Sequence, residues 1–131
     1  MVCASSPLGR GMLTGAIKSI DDFDENDFRR HAPRYSAENF PKNLEVVSKI
    51  EQLAAKKGVA ASQFVLAWVL AQGPEFVVIP GTKKIKYLEQ NFAAGDIELT
   101  PEEIAEMRKV VDEANIQGDR YHAAHMVSLD A

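Results

Sequence analysis

Hydrophobic and polar positions divide the chain into short apolar runs and helical stripes, separated by stretches without a period. Val2 to Ser5 are small and partly β-branched, then break into Ser6-Pro7-Leu8-Gly9-Arg10-Gly11, which predicts a buried strand end entering a loop. Residues 16–42 show no sustained period. Their acidic cluster (Asp21, Asp22, Asp24, Glu25, Asp27), followed by Arg29, Arg30 and Arg34, reads as a solvated loop. From Asn43 a helical stripe of Leu44, Val47, Ile50 and Ala54 runs to Gly58, a C′ residue. The next helix, about 61–72, is apolar nearly all round from Phe64 to Ala71, so burial on both sides in a complete fold is expected. Gly73-Pro74 stops it. Phe76-Val77-Val78-Ile79 then lacks alternation and predicts a parallel strand buried on both faces. A short helix follows, with Ile85, Leu88 and Phe92 on one side and Gly95 at its end. Thr100-Pro101-Glu102-Glu103 is a capping box with proline at N1, opening a last helix with a stripe of Ile104, Met107, Val111 and Ala114. From Asn115 an irregular, frayed tail is expected.

The order strand, loop, helix, helix, strand, helix, helix implies α/β architecture with a right-handed parallel crossover. Two strands neither close a barrel nor cover an all-round apolar helix. A first strand at the very start of the sequence is also unusual for an independent domain, so the organisation reads as part of a larger fold.

Composition narrows the chemistry. At 131 residues with a net charge of −4, the chain is not a general nucleic-acid binder, since phosphate neutralisation needs clustered cations. No apolar run reaches the roughly 20 residues of a membrane-spanning helix, and no signal peptide is apparent at the N-terminus. The single cysteine, Cys3, sits in a strand and is expected to pack; with no internal disulfide, a reducing, cytoplasmic setting is expected.

Two loops carry candidate chemistry, each directly after a strand. In Ser6–Gly11 the glycines admit a close backbone approach to an anion and the serine hydroxyl can donate to it. In Pro80-Gly81-Thr82-Lys83-Lys84 a flexible turn, a hydroxyl and two cations meet a helix N-terminus, which favours a phosphate, and Lys86 adds charge one turn on. Either loop alone also reads as an ordinary turn or basic helix start. A (β/α)8 barrel, however, often builds its phosphate site from the loops after strands seven and eight. His31, His122 and His125 lack a metal-ligand pattern and read as surface residues; Tyr35, Tyr87 and Tyr121 have no Lys and carboxylate placed to tune them. No dinucleotide fingerprint and no Walker loop occurs.

The segments Ala4–Gly15, Phe64–Gly73, Val78–Asn91 and Leu99–Ile104 resemble, in consistent order, the C-terminal part of aldo-keto reductases, closest to a branch with pyridoxal-reductase-like and auxin-induced-like members. The resemblance covers about residues 2–121 and implies an α/β fold, namely strands seven and eight of a (β/α)8 TIM barrel with their helices and the C-terminal helix. A partial reductase domain at 1–121 and an irregular tail at 122–131 are therefore expected. It also implies NADP(H) as cofactor and a small carbonyl compound as the parent enzyme's substrate. Ser6, Leu8, Gly9, Arg10 and Gly11 would line the pyrophosphate; Gly81, Thr82, Lys83 and Lys84 the 2′-phosphate; Gln90 and Asn91 the adenine. Two lysines without a competing carboxylate favour NADP over NAD. Arg34 would help cover the cofactor. Ala60-Ala61 departs from the Thr-Pro helix start of relatives. The family's Asp, Tyr, Lys and His tetrad belongs to the first four strands, which have no counterpart here, so no catalytic residue is assigned and the chain alone is expected to be inactive. A nucleotide-binding module and a barrel-completing interaction piece stand as alternatives, and exposed strand edges would favour self-association.

Overall fold

The computed structural model describes residues 1–127. Strand β1 (Val2–Ser5) and strand β2 (Phe76–Ile79) lie parallel, with Val2 opposite Phe76 and Ser5 opposite Ile79. Between them run helix α1 (Asn39–Lys57) and helix α2 (Ala61–Leu70); α3 (Ile85–Ala93), α4 (Pro101–Asp112) and a single turn, α5 (Ala123–Met126), follow β2. The two-stranded parallel sheet and its helical crossover match the architecture expected from the sequence.

Helix ends follow local chemistry. Gly58 closes α1 in the left-handed region (φ 77), with the Val59 amide donating to Ala54 and the Gly58 amide to Ala55. Thr100 and Glu103 complete the predicted reciprocal box at α4, and Lys57 Nζ donates to Glu103 at 2.9 Å. At α2 only half a box is present: the Ala60 amide donates to Gln63 Oε1 at 3.2 Å, and the Ala60 methyl has nothing to return.

The core has two parts. Ile50 and Ala54 of α1 meet Ala61, Phe64 and Val65 of α2 and Met107 of α4. The second part corrects the reading of residues 16–42 as a solvated loop. Short 3-10 turns fold this stretch inward, and Phe23, Tyr35 and Phe40 pack ring to ring with centroids 5.2–6.3 Å apart, over Met12, Ala32 and Val47. Two of its acidic residues form caps. Asp22 accepts from the Lys18 and Ser19 amides, and Asp27 accepts from the Arg29 amide and forms a two-pronged ion pair with the Arg29 guanidinium. Helix α1 consequently begins at Asn39, one turn before the visible period.

Four further expectations change. Strand β2 is covered on one face only, by α2, so Val77 and Ile79 remain 37% and 56% exposed. The stripe of α3 points outward, leaving Ile85 and Phe92 76% and 82% exposed, because α3 meets α2 through its polar side, where Gln63 Nε2 donates to the Gln90 carbonyl. Cys3, opposite Val77, is exposed rather than packed. On α4 Val110, not Val111, turns to the core. No single helix among the described residues is long and apolar enough to cross a membrane.

The expected frayed tail is tied down. Buried Asn43 donates to the Arg34 and Gln117 carbonyls and accepts from the Gln117 amide, all at 2.8–2.9 Å, while Arg34 Nε donates to the Gly118 carbonyl. Gly118 is at φ 88, and a Cβ there would lie 2.7 Å from the Pro33 carbonyl, so both its backbone and its surroundings call for glycine. The stretch 113–122 is otherwise non-helical; α5 interrupts the expected irregular tail, and 128–131 lie outside the described residues.

Two outcomes are expected. Asn43→Ala strands three partly buried backbone partners and should cost about 2–3 kcal/mol in chemical denaturation; a loss below about 1 kcal/mol would mean the tail is not anchored there. Hydrogen bonding from Arg29 holds the Asp27 carboxyl down at about 2, below an unfolded value near 3.9. A depressed carboxyl stabilises the fold fully above its unfolded value and loses that contribution as pH falls toward about 2. Thermal melts of Asp27→Asn should therefore lose part of the native protein's stability decline between about pH 4 and pH 2.

Candidate cofactor-binding site

Parallel pairing puts the carboxyl ends of β1 and β2 side by side, so both predicted loops open on the same edge of the sheet. The loop after β1 is tightly wound: Ser6, Gly9, Arg10 and Gly11 all have positive φ. Two contacts hold this shape from the 16–42 stretch. Tyr35 Oη donates to the Gly9 carbonyl at 2.8 Å, and Arg29 Nη1 donates to the Arg10 carbonyl at 2.8 Å. Burial raises the Tyr35 hydroxyl above its ordinary pKa, so it stays a neutral donor. Gly11 leaves room for Arg29, since a Cβ there would stand 3.2 Å from Nη1.

The loop after β2 is exposed from Gly81 to Lys86. Thr82 Oγ1 accepts from the Lys84 amide at 3.2 Å, and Lys84 Nζ lies 5.7 Å from the Tyr87 ring. Between the loops run two adjoining cavities. One, of about 530 Å³, has Leu8, Arg29, Thr82, Lys84, Gln90 and Asn91 among its walls. The other, of about 950 Å³, adds Arg10, Asp27, Phe28 and Lys83, and the two share Arg29, Gly81, Thr82, Lys84 and Tyr87. Together they form one trough.

Among the described residues, five cations (Arg10, Arg29, Lys83, Lys84, Lys86) line it against a single carboxylate, Asp27, which is already bound to Arg29. This is a local excess of positive charge on a chain whose net charge is −4. Arg29 is committed to Asp27 and Arg10, and its pKa is raised by the bond to Asp27; its task is to hold the trough's shape. Lys83 and Lys84 form no ion pair among the described residues and face an incoming anion unopposed.

Of the predicted residues, Leu8, Arg10, Gly81, Thr82, Lys83, Lys84, Gln90 and Asn91 meet in the trough. Ser6 and Gly9 instead line another cavity of about 260 Å³, with Arg34 and Arg120, which shares Arg10 with the trough; Gly11 lies under Arg29. Sequence reading missed Arg29 and Phe28. Their signal was an Arg and an aromatic inside the unpatterned stretch, which only tertiary folding brings to the trough. No group of three or more His, Cys, Asp or Glu among the described residues could hold a metal ion.

Known proteins resemble this chain over most of its length. The model of the aldo/keto reductase family matches residues 1–112. Aldo-keto reductase str7 of Strobilurus tenacellus is 58% identical over 119 residues, covering 91% of this chain and 35% of the relative. Aldo-keto reductase yakc [NADP(+)] of Schizosaccharomyces pombe is 54% identical over 121 residues, 92% of this chain and 35% of that protein. Among solved structures, a glycerol dehydrogenase from Gluconobacter oxydans superposes with a TM-score of 0.76 at 28% identity, over 91% of this chain and 36% of its own. The chain thus spans about a third of the length of the relatives it matches, and its two strands with their helices make up the C-terminal portion of a (β/α)8 barrel. With the family model matched over most of its length, the chain belongs to the aldo/keto reductase family.

Proposed function

We propose that this chain supplies the adenine, 2′-phosphate and pyrophosphate end of an NADP(H) site in a carbonyl reductase. The trough carries the reading: it joins the two loops, is cationic, and the carboxylate among its described walls, Asp27, is already paired with Arg29. Thr82, Lys83 and Lys84 would hold the 2′-phosphate, as a hydroxyl donor and two point charges. Gln90 and Asn91, half-buried at the far wall, would offer amide groups to the adenine edge. Leu8 would give an apolar wall, and Arg10 would meet the pyrophosphate, with Ser6, Gly9 and Gly11 shaping the turn beneath. The yakc relative bears NADP(+) in its name, which supports the cofactor choice.

NADPH, when bound, supplies the hydride for reducing an aldehyde or ketone to an alcohol. The proton donor of that reaction has no candidate here: Tyr35 is held neutral in the core, and neither Tyr87 nor Tyr121 has a lysine–carboxylate pair around it. The chain by itself is therefore read as binding the cofactor without turning it over. The outward apolar faces of β2 and α3 support the companion reading that further barrel elements, or a second copy, cover them.

NADPH titration followed by nucleotide fluorescence should give saturable binding that weakens as salt rises. Lys83→Ala/Lys84→Ala should lower NADPH affinity at least tenfold, about 1.4 kcal/mol, while leaving NADH binding nearly unchanged. Equal losses for both nucleotides would contradict the 2′-phosphate assignment. Carbonyl reduction by the purified chain, abolished in the same variant, would overturn the non-catalytic reading.

A further inference from the structure

The tail after α4 is docked by two kinds of contact, and they meet at Gly118. Up to that residue the contacts are hydrogen bonds to backbone. Asn43 donates to the Gln117 carbonyl and accepts from its amide, and Arg34 Nε donates to the Gly118 carbonyl. None of these groups changes charge near neutral pH. Beyond Gly118 the docking runs through rings and charge. The Tyr121 centroid lies 4.8 Å from Arg10 Cζ and 5.6 Å from Arg120 Cζ. His122 then opens the single turn α5, where its carbonyl accepts from the His125 amide at 2.8 Å.

A cavity of about 370 Å³ lies between this part of the tail and the turn at Phe28–His31. Its walls carry Arg10 and His31 from the body of the protein, and Arg120, Tyr121, His122 and His125 from the tail. Arg34 faces Arg10 and Arg120 from the adjoining cavity of about 260 Å³. No carboxylate is among the described walls of either cavity. Asp119, the one carboxylate in the stretch 119–127, lines neither, and Asp27 is paired with Arg29. The gathered positive charge is felt by Tyr121: hydrogen bonding from Arg120, then the charges of Arg120 and Arg10, draw its hydroxyl below the ordinary pKa.

We propose that His31 and His122, one on each side of this cavity, form a pH-sensitive release for the tail. Each imidazole that takes a proton adds a like charge to a space already holding two guanidiniums, and like charges at close range repel. Separation of the tail relieves that repulsion, so the released tail binds more protons than the docked one. Docking is therefore strongest above the imidazole range and weakens as pH falls through it. The clamp on Gln117 has no titrating member in that range, so Gly118, already at φ 88, is where the chain swings. Neither histidine lines the cofactor trough, and the device stands whether or not the chain binds NADP(H).

Nitrogen-15 relaxation of the full chain at about pH 8 and about pH 5.5, either side of the imidazole range, tests the release. Order parameters at residues 120–126 should be near about 0.85 at the higher pH and below about 0.6 at the lower, while Gln117, Gly118 and α4 stay rigid at both. His31→Gln/His122→Gln, made at two exposed positions and unable to charge, should keep the tail rigid at the lower pH. Salt at about 1 M, where screening acts beyond roughly 3 Å, should restore order to the native tail at the lower pH. A tail equally ordered, or equally mobile, at the two pH values would overturn the proposal. So would loosening of the double variant to the native extent, or loosening that spreads through Gln117 into α4, which marks acid unfolding instead of release at Gly118.

Discussion

Parallel pairing of Val2–Ser5 with Phe76–Ile79 obliges the intervening chain to leave the sheet at one end and return to the other. That constraint sets the remaining geometry. Helices α1 and α2 make the return, and α2 covers the sheet on the way. Because both strands run in one direction, the loops that follow them emerge together. A Gly-rich turn and a Thr-Lys-Lys turn, 71 positions apart from Gly11 to Thr82, become two walls of one trough.

Adjacency alone would leave the first loop free to take other shapes, since positive φ at Arg10 is costly for a residue with a Cβ. The stretch 16–42 supplies what the strands cannot. Its aromatic trio anchors it to α1, and from that anchor Tyr35 and Arg29 reach the Gly9 and Arg10 carbonyls. Asp27 keeps the Arg29 fork pointed and cancels its charge, so the positive potential of the trough comes chiefly from Arg10, Lys83, Lys84 and Lys86. The segment with the least pattern in the sequence therefore fixes the loop on which the candidate site depends.

What was legible in the sequence, and what was not, follows from the range of the interactions. The capping box at Thr100–Glu103, the Gly58 stop and the parallel strand at Phe76–Ile79 rest on neighbours within a few residues or on a run of one side-chain type, and all form where read, although the strand is covered on one face and not on both. Phe23, Tyr35 and Phe40 have no common period, because 3-10 turns rather than a helix gather them, so their joint burial was not visible. The Asn43–Gln117 clamp spans 74 positions and left no local trace. For the candidate site, the loop positions were readable because glycine, hydroxyl and lysine signal an anion locally. That Ser6 and Gly9 line a different cavity from the trough depends on the left-handed path of the turn, which composition does not encode.

The central claim is that two loops, made neighbours by parallel strands, act on one ligand. A nitrogen–proton correlation titration with 2′,5′-ADP, which carries a phosphate at each end of its ribose, tests it directly. The account predicts that amide signals at Thr82–Lys84 and at Leu8–Gly11, together with the Arg29 side chain that braces them, shift along one saturation curve. Shifts confined to Thr82–Lys84, with the Leu8–Gly11 signals unmoved, would contradict it.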